Sequence, residues 1–175
     1  KALQNLQVAV PEEQITNSQT NLRQIAQEKL QIAKAILTNN VSFFKNQNNS
    51  FIKNYINSSL SLTFSNYHQT TYISYPFLKA VELNQTEMAI NMVRFWQADV
   101  NIKNKLNGIT ALHYAVENNN IFLVHFLIKA GADINATNIK FEKPIDIASK
   151  NGLVEIKTLL TAAHSVLAAQ QQVNK

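Results

Sequence analysis

His113 is the strongest candidate in this sequence for a catalytic base or a metal ligand. His113 stands in the segment Thr110-Ala111-Leu112-His113, whereas His68, His125 and His164 are isolated in sequence. None of the four shows the His-x3-His or His/Glu spacing of a zinc site. The chain has no cysteine, so thiolate ligands, thiolate nucleophiles and disulfides are excluded. The sequence therefore predicts no metal site and no cofactor.

The acidic residues offer little material for a catalytic pair. The only aspartates are Asp99, Asp133 and Asp146, and each lies where the pattern described below places a turn or the start of a helix. The glutamates are scattered over segments that we expect to be solvent-exposed. With three glycines in total, the chain lacks the G-x-S-x-G, P-loop and G-x-G-x-x-G sequences. We predict that it is not an enzyme and has no catalytic residues.

The composition is that of one globular domain. A chain of 175 residues, 46% of them hydrophobic, can bury a sizeable core. No apolar run approaches the roughly 18 to 20 residues of a transmembrane helix, and the first residues do not resemble a cleavable signal. We therefore expect a soluble monomer without a membrane span.

His113 lies in a helix-turn-helix unit. Apolar periodicity predicts a short helix from Gly108 to Val116, which the run Asn118-Asn119-Asn120 ends. A second, more apolar helix starts at Ile121, and Gly131 supplies the left-handed residue that ends it. Similar segments occur at 76–101 and 143–160, so the sequence predicts a stack of helix pairs.

This pattern resembles the ankyrin repeat, which runs G-x-T-P-L-H-x-A-A, then a turn, then I-V-x-L-L-L-x-x-G-A-D-V-N. The chain has Gly108-Ile109-Thr110-Ala111-Leu112-His113-Tyr114-Ala115-Val116, and the unit ends with Ala130-Gly131-Ala132-Asp133-Ile134-Asn135. Ala115 and Ala148 are 33 residues apart, which is the ankyrin period. The resemblance implies an all-α fold, an ankyrin-repeat solenoid of stacked helix-turn-helix units with helical caps at both ends. It also implies that Thr110 and His113 hydrogen-bond to each other, so we interpret His113 as structural.

We predict a single ankyrin-repeat domain over residues 1–175. Its parts are an N-terminal capping helix or helices at 11–40, a degenerate repeat at 41–73, repeats at 74–107 and 108–140, and a repeat with a C-terminal capping helix at 141–175. The first helix starts either near Pro11 or at a later N-cap, and the sequence leaves this open. Residues 60–74 are rich in Ser, Thr and Asn and read as a long connection.

Two positions depart from the repeat pattern. Gln97 and Phe141 replace expected glycines, so we expect an irregular helix end at the first and a distorted loop at the second. Trp96 precedes Gln97 and is either a core residue or an anchor on the outer surface.

The resemblance implies a protein partner, contacted through the finger loops and the concave face formed by the first helices. The matching positions are Tyr72, Ser74, Glu82, Leu83, Leu106, Asn107, Ile109, Glu117, Asn118, Ile139, Lys140, Glu142, Lys150 and Asn151. Four of them, Tyr72, Leu106, Ile109 and Ile139, would form an apolar patch suited to binding. The alternative is that two or three of these pack between neighbouring fingers.

Asn101 and Asn135 are candidate hydroxylation sites. Each ends an Ala-Asp-x-Asn segment, and a Val or Leu lies eight residues before it. This setting resembles the sites of an asparaginyl hydroxylase that acts on ankyrin domains. In the family the same asparagine also braces the loop that leads to the next repeat, which is the structural alternative.

The net charge of +5 raises the question of an anionic partner. Lys103, Lys105, Lys140 and Lys143 lie in consecutive connecting segments and could share one edge. An acidic partner, or plain solvation, fits this edge better than nucleic acid, because no aromatic residues alternate with the lysines.

An alternative function is that of a targeting or regulatory ankyrin segment of a larger secreted bacterial effector or enzyme. The composition, rich in Asn and Lys, resembles such effectors. The protein would then act in a host cell cytoplasm; otherwise we expect it to be cytoplasmic.

Overall fold

The computed structural model describes residues 17–46, 49–58, 60–64, 69–73 and 75–173. These residues form nine helices and two strands, in the order α1 Asn17–Leu37, α2 Val41–Asn46, α3 Asn49–Ile56, β1 Leu60–Phe64, β2 Gln69–Ile73, α4 Pro76–Glu82, α5 Thr86–Trp96, α6 Ala111–Glu117, α7 Ile121–Lys129, α8 Pro144–Lys150 and α9 Val154–Val173.

The helices lie in two layers. Helix α1 packs against α4, α4 against α6, and α6 against α8, which makes one layer of first helices. Helices α3, α5, α7 and α9 pack in the same succession and form the second layer. Each short first helix buries its apolar face only when neighbours cover it, so the core is continuous along the stack. The predicted all-α solenoid of helix pairs is confirmed.

Each helix pair contains the same turn. A residue with positive φ occupies it in every pair, at Asn39, Asn84, Asn119 and Gly152. The next residue donates its N–H to a carbonyl five residues back, as Asn120 does to Ala115 at 3.0 Å. Asparagine and glycine are the residues that tolerate the left-handed region best. The sequence therefore provides this turn with a suitable residue four times.

The equivalent turns place the first helix pair earlier than the predicted boundary at residue 41. The Asn39 turn joins the end of α1 to α2 and α3, and α1 buries Ile32, Ala33 and Ile36 against the stack. We infer that α1 serves both as N-terminal cap and as the first helix of this pair. The sequence pattern assigned α1 to the cap alone because its apolar residues recur at helical spacing until Asn39-Asn40, and the degenerate repeat was expected to begin after them.

A β-hairpin separates the first two pairs. Strand β1 runs antiparallel to β2, with Leu60 opposite Ile73 and Phe64 opposite Gln69. From the sequence, residues 60–74 were expected to form a long connection. The hairpin also explains why Ala35 and Ala80, which occupy the same place in their turns, lie 45 residues apart rather than 33.

Phe95 and Trp96 differ in exposure at the end of α5. Trp96 is buried, and its ring centroid lies 5.3 Å from that of Phe44, whereas Phe95 is exposed. Gln97 adopts the left-handed conformation at φ 58° in place of the expected glycine. At this end of α5 the N–H groups of Gln97 and Ala98 both donate to the Met92 carbonyl, five and six residues back, whereas Ala132 at the end of α7 donates five residues back to Leu127. The helix end is therefore irregular, as expected, and Trp96 is a core residue.

Candidate binding site

His113 is a structural residue, as the family resemblance implied. Its Nδ1 accepts the Thr110 N–H at 3.2 Å, so the neutral ring carries its proton on Nε2, which donates to the Glu142 carbonyl at 3.0 Å. The side chain is fully buried, and this burial lowers its pKa. The imidazole is buried and neutral, and both of its nitrogens are hydrogen-bonded. It therefore links the start of α6 to the next loop.

Two finger loops project beside this contact. We define finger A as residues 101–110 and finger B as residues 135–143. In finger A, Asn104 donates its N–H to the Ile109 carbonyl at 2.9 Å, and its Oδ1 accepts the Leu106 N–H at 2.9 Å. In finger B, Asn138 donates to the Glu142 carbonyl at 3.1 Å, and its Oδ1 accepts the Lys140 N–H at 2.9 Å. Sequence analysis did not identify these two asparagines, because a lone Asn in a polar loop carries no distinctive signal.

The two fingers are joined at their tips. Ile139 donates its N–H to the Asn107 carbonyl at 3.0 Å. Gly108 lies against finger B at φ +69°, and a Cβ there would sit 3.2 Å from the Asn138 Cα and from the Ile139 nitrogen. Only glycine allows both this φ and this approach. The fingers thus form one connected unit rather than two independent loops.

Phe141 takes the place of the finger glycine without distorting finger B. It lies 33 residues after Gly108 and has φ 59°. Its N–H still donates to the Asn138 carbonyl at 3.0 Å. The expected distortion is therefore absent, and the loop instead holds a bulky residue in the left-handed region. Such a conformation costs on the order of 1–3 kcal/mol.

Three large apolar side chains stand exposed at the finger tips. Leu106 is 73% exposed, Ile139 65% and Phe141 85%. We call Lys105, Leu106, Ile139, Lys140 and Phe141 the finger-tip surface. Both lysines are exposed, and neither forms an ion pair with another described residue.

The four predicted patch residues have separate positions. Leu106 and Ile139 are fully exposed at the tips, whereas Ile109 is half-buried in finger A. Tyr72 lies in β2, where only the backbone is described, and Ser74 lies outside the described residues. Phe141, which sequence analysis treated only as a departure from the pattern, is the most exposed apolar residue of the described chain.

The concave helix face carries alternating charges. Lys79 pairs with Glu82 at 3.1 Å, and Lys150 pairs with Glu142 at 3.5 Å. Between them, Glu117 forms no ion pair within the described part of the chain, and burial followed by the charges of Glu142 and Glu82 raises its pKa. A hydrogen bond from Asn138 holds the pKa of Glu142 below its usual value.

The remaining predicted contact residues differ in how accessible their side chains are to a partner. Asn118 donates to the Val81 carbonyl at 2.8 Å, so its amide is engaged in joining α6 to α4. Leu83 and Asn151, at the ends of α4 and α8, are exposed. They are accessible to a partner, whereas Asn118 and Asn107 position the backbone.

The candidate hydroxylation sites belong to a series of inter-repeat contacts. The Asn101 amide donates to the Gly131 carbonyl at 3.0 Å, and its Oδ1 accepts the Asp133 N–H at 2.7 Å. Asn57 makes the same two bonds to Gln97 and Asp99. The series ends at Asn135, whose Oδ1 accepts, among the residues that the structure describes, only a 3.4 Å bond from Lys143. Asn57 was not identified from the sequence because it does not end an Ala-Asp-x-Asn segment, as Asn101 and Asn135 do.

A groove on the opposite side of the stack separates α7 from α9. It has a volume of about 960 Å³ and is lined by Ile121, Phe122, His125, Val154, Glu155, Thr158, Leu159 and Ala162. Phe122 is 67% exposed there. The groove was not predicted from the sequence, because apolar periodicity does not show which apolar residues of the second helices remain exposed.

The described residues contain no group of three or more His, Asp or Glu side chains that could hold a metal ion. None of the helices built from them is both long enough and apolar enough to span a bilayer.

Comparison with known proteins assigns the fold to a family. The family profile described as "Ankyrin repeats (3 copies)" matches residues 22–138 and 77–171, which together cover most of the chain. The chain belongs to the ankyrin-repeat family. The match begins within α1, as does the first helix pair of the structure.

Several ankyrin-repeat relatives are similar over parts of the chain. Alpha-latrocrustotoxin-Lt1a of Latrodectus tredecimguttatus is 34% identical over 84 residues, 48% of this chain and 6% of the toxin. A putative ankyrin repeat protein of Rickettsia bellii is 44% identical over 62 residues, 35% of this chain and 36% of that protein. Human ankyrin repeat domain-containing protein 40 is 38% identical over 58 residues, 33% of this chain and 16% of that protein. The matched regions thus span about a third or less of these relatives.

A solved structure, that of the ankyrin repeat domain of Bcl-3, also resembles the chain. The TM-score is 0.48 at 26% sequence identity, and the match covers 51% of this chain and 39% of that one.

Proposed function

We propose that this ankyrin-repeat chain is a protein-protein interaction module that binds its partner through the finger-tip surface and the adjacent concave helix face. The observation that carries the proposal is the exposure of three large apolar side chains, Leu106, Ile139 and Phe141, on fingers whose backbones are joined. Exposed apolar residues that cluster on a rigid support are typical of binding hot spots.

Rigidity of the fingers favours binding. Loops that must be ordered on association lose affinity through their conformational entropy. Here the Asn104 and Asn138 side chains close each finger, and the bond from Ile139 to Asn107 fixes one tip against the other. The tips can therefore contact a partner with little reorganisation.

The strain at Phe141 supports the same proposal. A phenylalanine in the left-handed region destabilises the folded chain relative to glycine, and an 85% exposed side chain gains little from packing within the chain. A bulky residue that stabilises nothing in its own fold is best explained by a contact with another molecule.

The concave residues supply the second part of the proposed site. Glu82, Leu83, Glu117, Lys150 and Asn151 are exposed and available for polar contacts. In our proposal Glu142 and Asn107 act indirectly, because their main-chain atoms hold His113 and Ile139. We also propose that the free chain is a monomer.

Quantitative affinity capture from cell lysate would test this proposal. The bait is the wild-type chain, the test variant is Leu106→Ser with Phe141→Ser, and the matched control is Phe122→Ser, which removes an exposed aromatic from the opposite groove. We expect one protein to be recovered by the wild type and the control but lost with the test variant. Equal recovery by all three baits, with circular dichroism showing that all are folded, would contradict the proposal.

A second candidate is that of the targeting or regulatory part of a larger secreted bacterial effector or enzyme. Its support is the similarity to a Rickettsia bellii ankyrin protein and the small fraction of longer relatives that the match covers. Reading the complete gene tests it. A gene that encodes a further catalytic domain or a secretion signal would favour this candidate, and a gene without either would reject it. Under this proposal the protein acts in a host cell cytoplasm.

We further propose Asn135 as a hydroxylation site ahead of Asn101. The amide of Asn101 holds two backbone groups of the next repeat, whereas that of Asn135 holds none. Mass spectrometry after exposure to an asparaginyl hydroxylase should show one added oxygen on the Asn135 peptide first. Faster modification of Asn101 would contradict the preference.

A further inference from the structure

Two lysines at the finger tips form no ion pair with a carboxylate of the described residues. Lys105 precedes Leu106, and Lys140 lies between Ile139 and Phe141. Both lysines are exposed and have no acidic side chain within 4 Å among the described residues, in contrast with Lys79 and Lys150 on the concave face. The charge of Lys140 also acts on Glu142 and Glu117 at longer range. The apolar tips are therefore flanked by two lysines that form no ion pair within the described residues.

We propose that the partner of the finger-tip surface is an acidic protein segment, in which Asp or Glu side chains flank an aromatic or aliphatic residue. The apolar residue would contact Leu106, Ile139 and Phe141, and the carboxylates would face Lys105 and Lys140. This inference rests on the proposed function and adds the chemistry of the partner to it.

The other lysines of the predicted edge have different surroundings. The Lys143 Nζ donates to Asn135 Oδ1 at 3.4 Å, and the residue is half-buried. Lys103 lies at the base of finger A, where its backbone pairs with Thr110. The Lys103 side chain is exposed too, but it lies at the base of the finger rather than beside the apolar tips. Lys105 and Lys140 adjoin Leu106, Ile139 and Phe141 in sequence, which makes these two the residues to test.

A partner carboxylate would meet little competition at the tips. The Glu142 carboxylate next to finger B already accepts from Asn138 at 3.0 Å and pairs with Lys150 at 3.5 Å. Charges at the rim of an interface mainly accelerate association and select among partners, so their effect should be sensitive to salt.

A protein segment fits the observations better than an anionic membrane. Membrane-binding basic clusters contain four to eight Lys or Arg, whereas the finger-tip surface contains two. The fingers also adjoin a concave face with paired charges of both signs. A fluid lipid surface cannot form specific contacts with such a face, whereas a protein can.

Selection from a displayed library of random 16-residue peptides would test the inference. We expect the selected peptides to place Asp or Glu within a few residues of an aromatic or aliphatic side chain. Synthetic copies should bind the wild-type chain about three- to tenfold more tightly at 50 mM than at 300 mM NaCl. Lys105→Gln with Lys140→Gln should lower the affinity at 50 mM by a similar factor and remove most of its salt dependence. The matched control is Lys129→Gln with Lys157→Gln, at two exposed lysines on α7 and α9.

The outcomes separate this inference from the proposed function. If Leu106→Ser with Phe141→Ser abolishes binding but the Lys105 and Lys140 variant binds like the wild type, the finger-tip site stands and the acidic partner is rejected. If neither variant affects the selected peptides, the finger-tip site itself is rejected. Selection of basic or uncharged peptides, or of none, overturns the inference. Binding to vesicles with 30% phosphatidylserine, without any acidic peptide, would overturn it in favour of a membrane surface.

Discussion

At the scale of single residues, backbone conformation decides which side chains are available for binding. Gly108 and Phe141 occupy equivalent left-handed positions, yet one is required by close packing and the other presents an exposed ring. The sequence revealed that Phe141 replaces a glycine. It could not reveal that the loop would keep its form, because this depends on hydrogen bonds that Asn138 Oδ1 accepts from the Lys140 and Glu142 N–H groups in the folded finger.

Substitution of Phe141 by glycine should stabilise the fold and weaken binding. Relief of the left-handed strain outweighs the added chain entropy of glycine, so we expect the free energy of unfolding to rise by about 0.5–1.5 kcal/mol. Urea denaturation measures this change, with Phe122→Ser as the control for loss of an exposed aromatic. A less stable Phe141→Gly variant would show that the ring contributes to the fold.

Substitution of Gly108 by alanine should destabilise the fold more than substitution of Gly152. Both glycines have φ near +70°, but only at Gly108 would the new Cβ lie 3.2 Å from a neighbouring backbone. We expect a loss of about 1–2 kcal/mol at Gly152 from conformation alone and about 1 kcal/mol more at Gly108 from overpacking. Equal losses in thermal or urea unfolding would argue that the fingers separate easily.

The buried state of His113 should make stability depend on pH. Because burial lowers the pKa of the folded imidazole below 6.5, the unfolded chain takes up the proton first as the pH falls. The stabilisation from the neutral imidazole is thus complete above about pH 6.5 and is lost as the pH drops below it. The free energy of unfolding, measured from pH 7.5 to 5, should decrease for the wild type. His113→Gln should be less stable at pH 7.5 and should show a smaller decrease; an equal decrease would assign the effect to other groups.

At the scale of elements, local signals determined what could be predicted. The helices from α4 to α9 follow from apolar periodicity and from turn residues that suit the left-handed region. The hairpin of β1 and β2 was missed because its Ser- and Thr-rich strands lack a Gly-containing turn. The sequence pattern assigned α1 to the cap alone because the left-handed turn at Asn39 and the packing of α1 against α4, from which we infer its second role, appear only in the folded chain.

The asparagine series should contribute unequally to stability. Asn101→Ala removes two bonds to the next repeat, so we expect a loss of about 1–2 kcal/mol. Asn135→Ala removes one long bond to Lys143 and should cost about 0.5 kcal/mol or less. Chemical denaturation of the two variants, with Asn57→Ala as a second engaged member, compares them directly. Similar losses of stability for Asn101→Ala and Asn135→Ala would contradict the inference that Asn135 makes the weaker contact.

At the scale of the whole molecule, the family could be predicted from one repeat, and the same resemblance supplied the proposed location of the binding site. Leu106 and Ile139 were correctly expected at the surface, while Ile109 is half-buried and Asn107 and Asn118 hold the backbone. The finger-tip surface depends on contacts between residues about 33 positions apart, such as Ile139 to Asn107. Sequence periodicity predicts that such loops are neighbours, but it does not predict which side chains remain exposed.

Site-specific photocrosslinking tests the central proposal most directly. A benzophenone amino acid would replace Phe141 in one version of the chain and Phe122 in another, since both rings are exposed but lie on different sides of the stack. In living cells we expect position 141 to form a covalent adduct with one protein, and we expect Leu106→Ser in the same chain to reduce it strongly. An adduct from position 122 but none from position 141 would contradict binding at the finger tips.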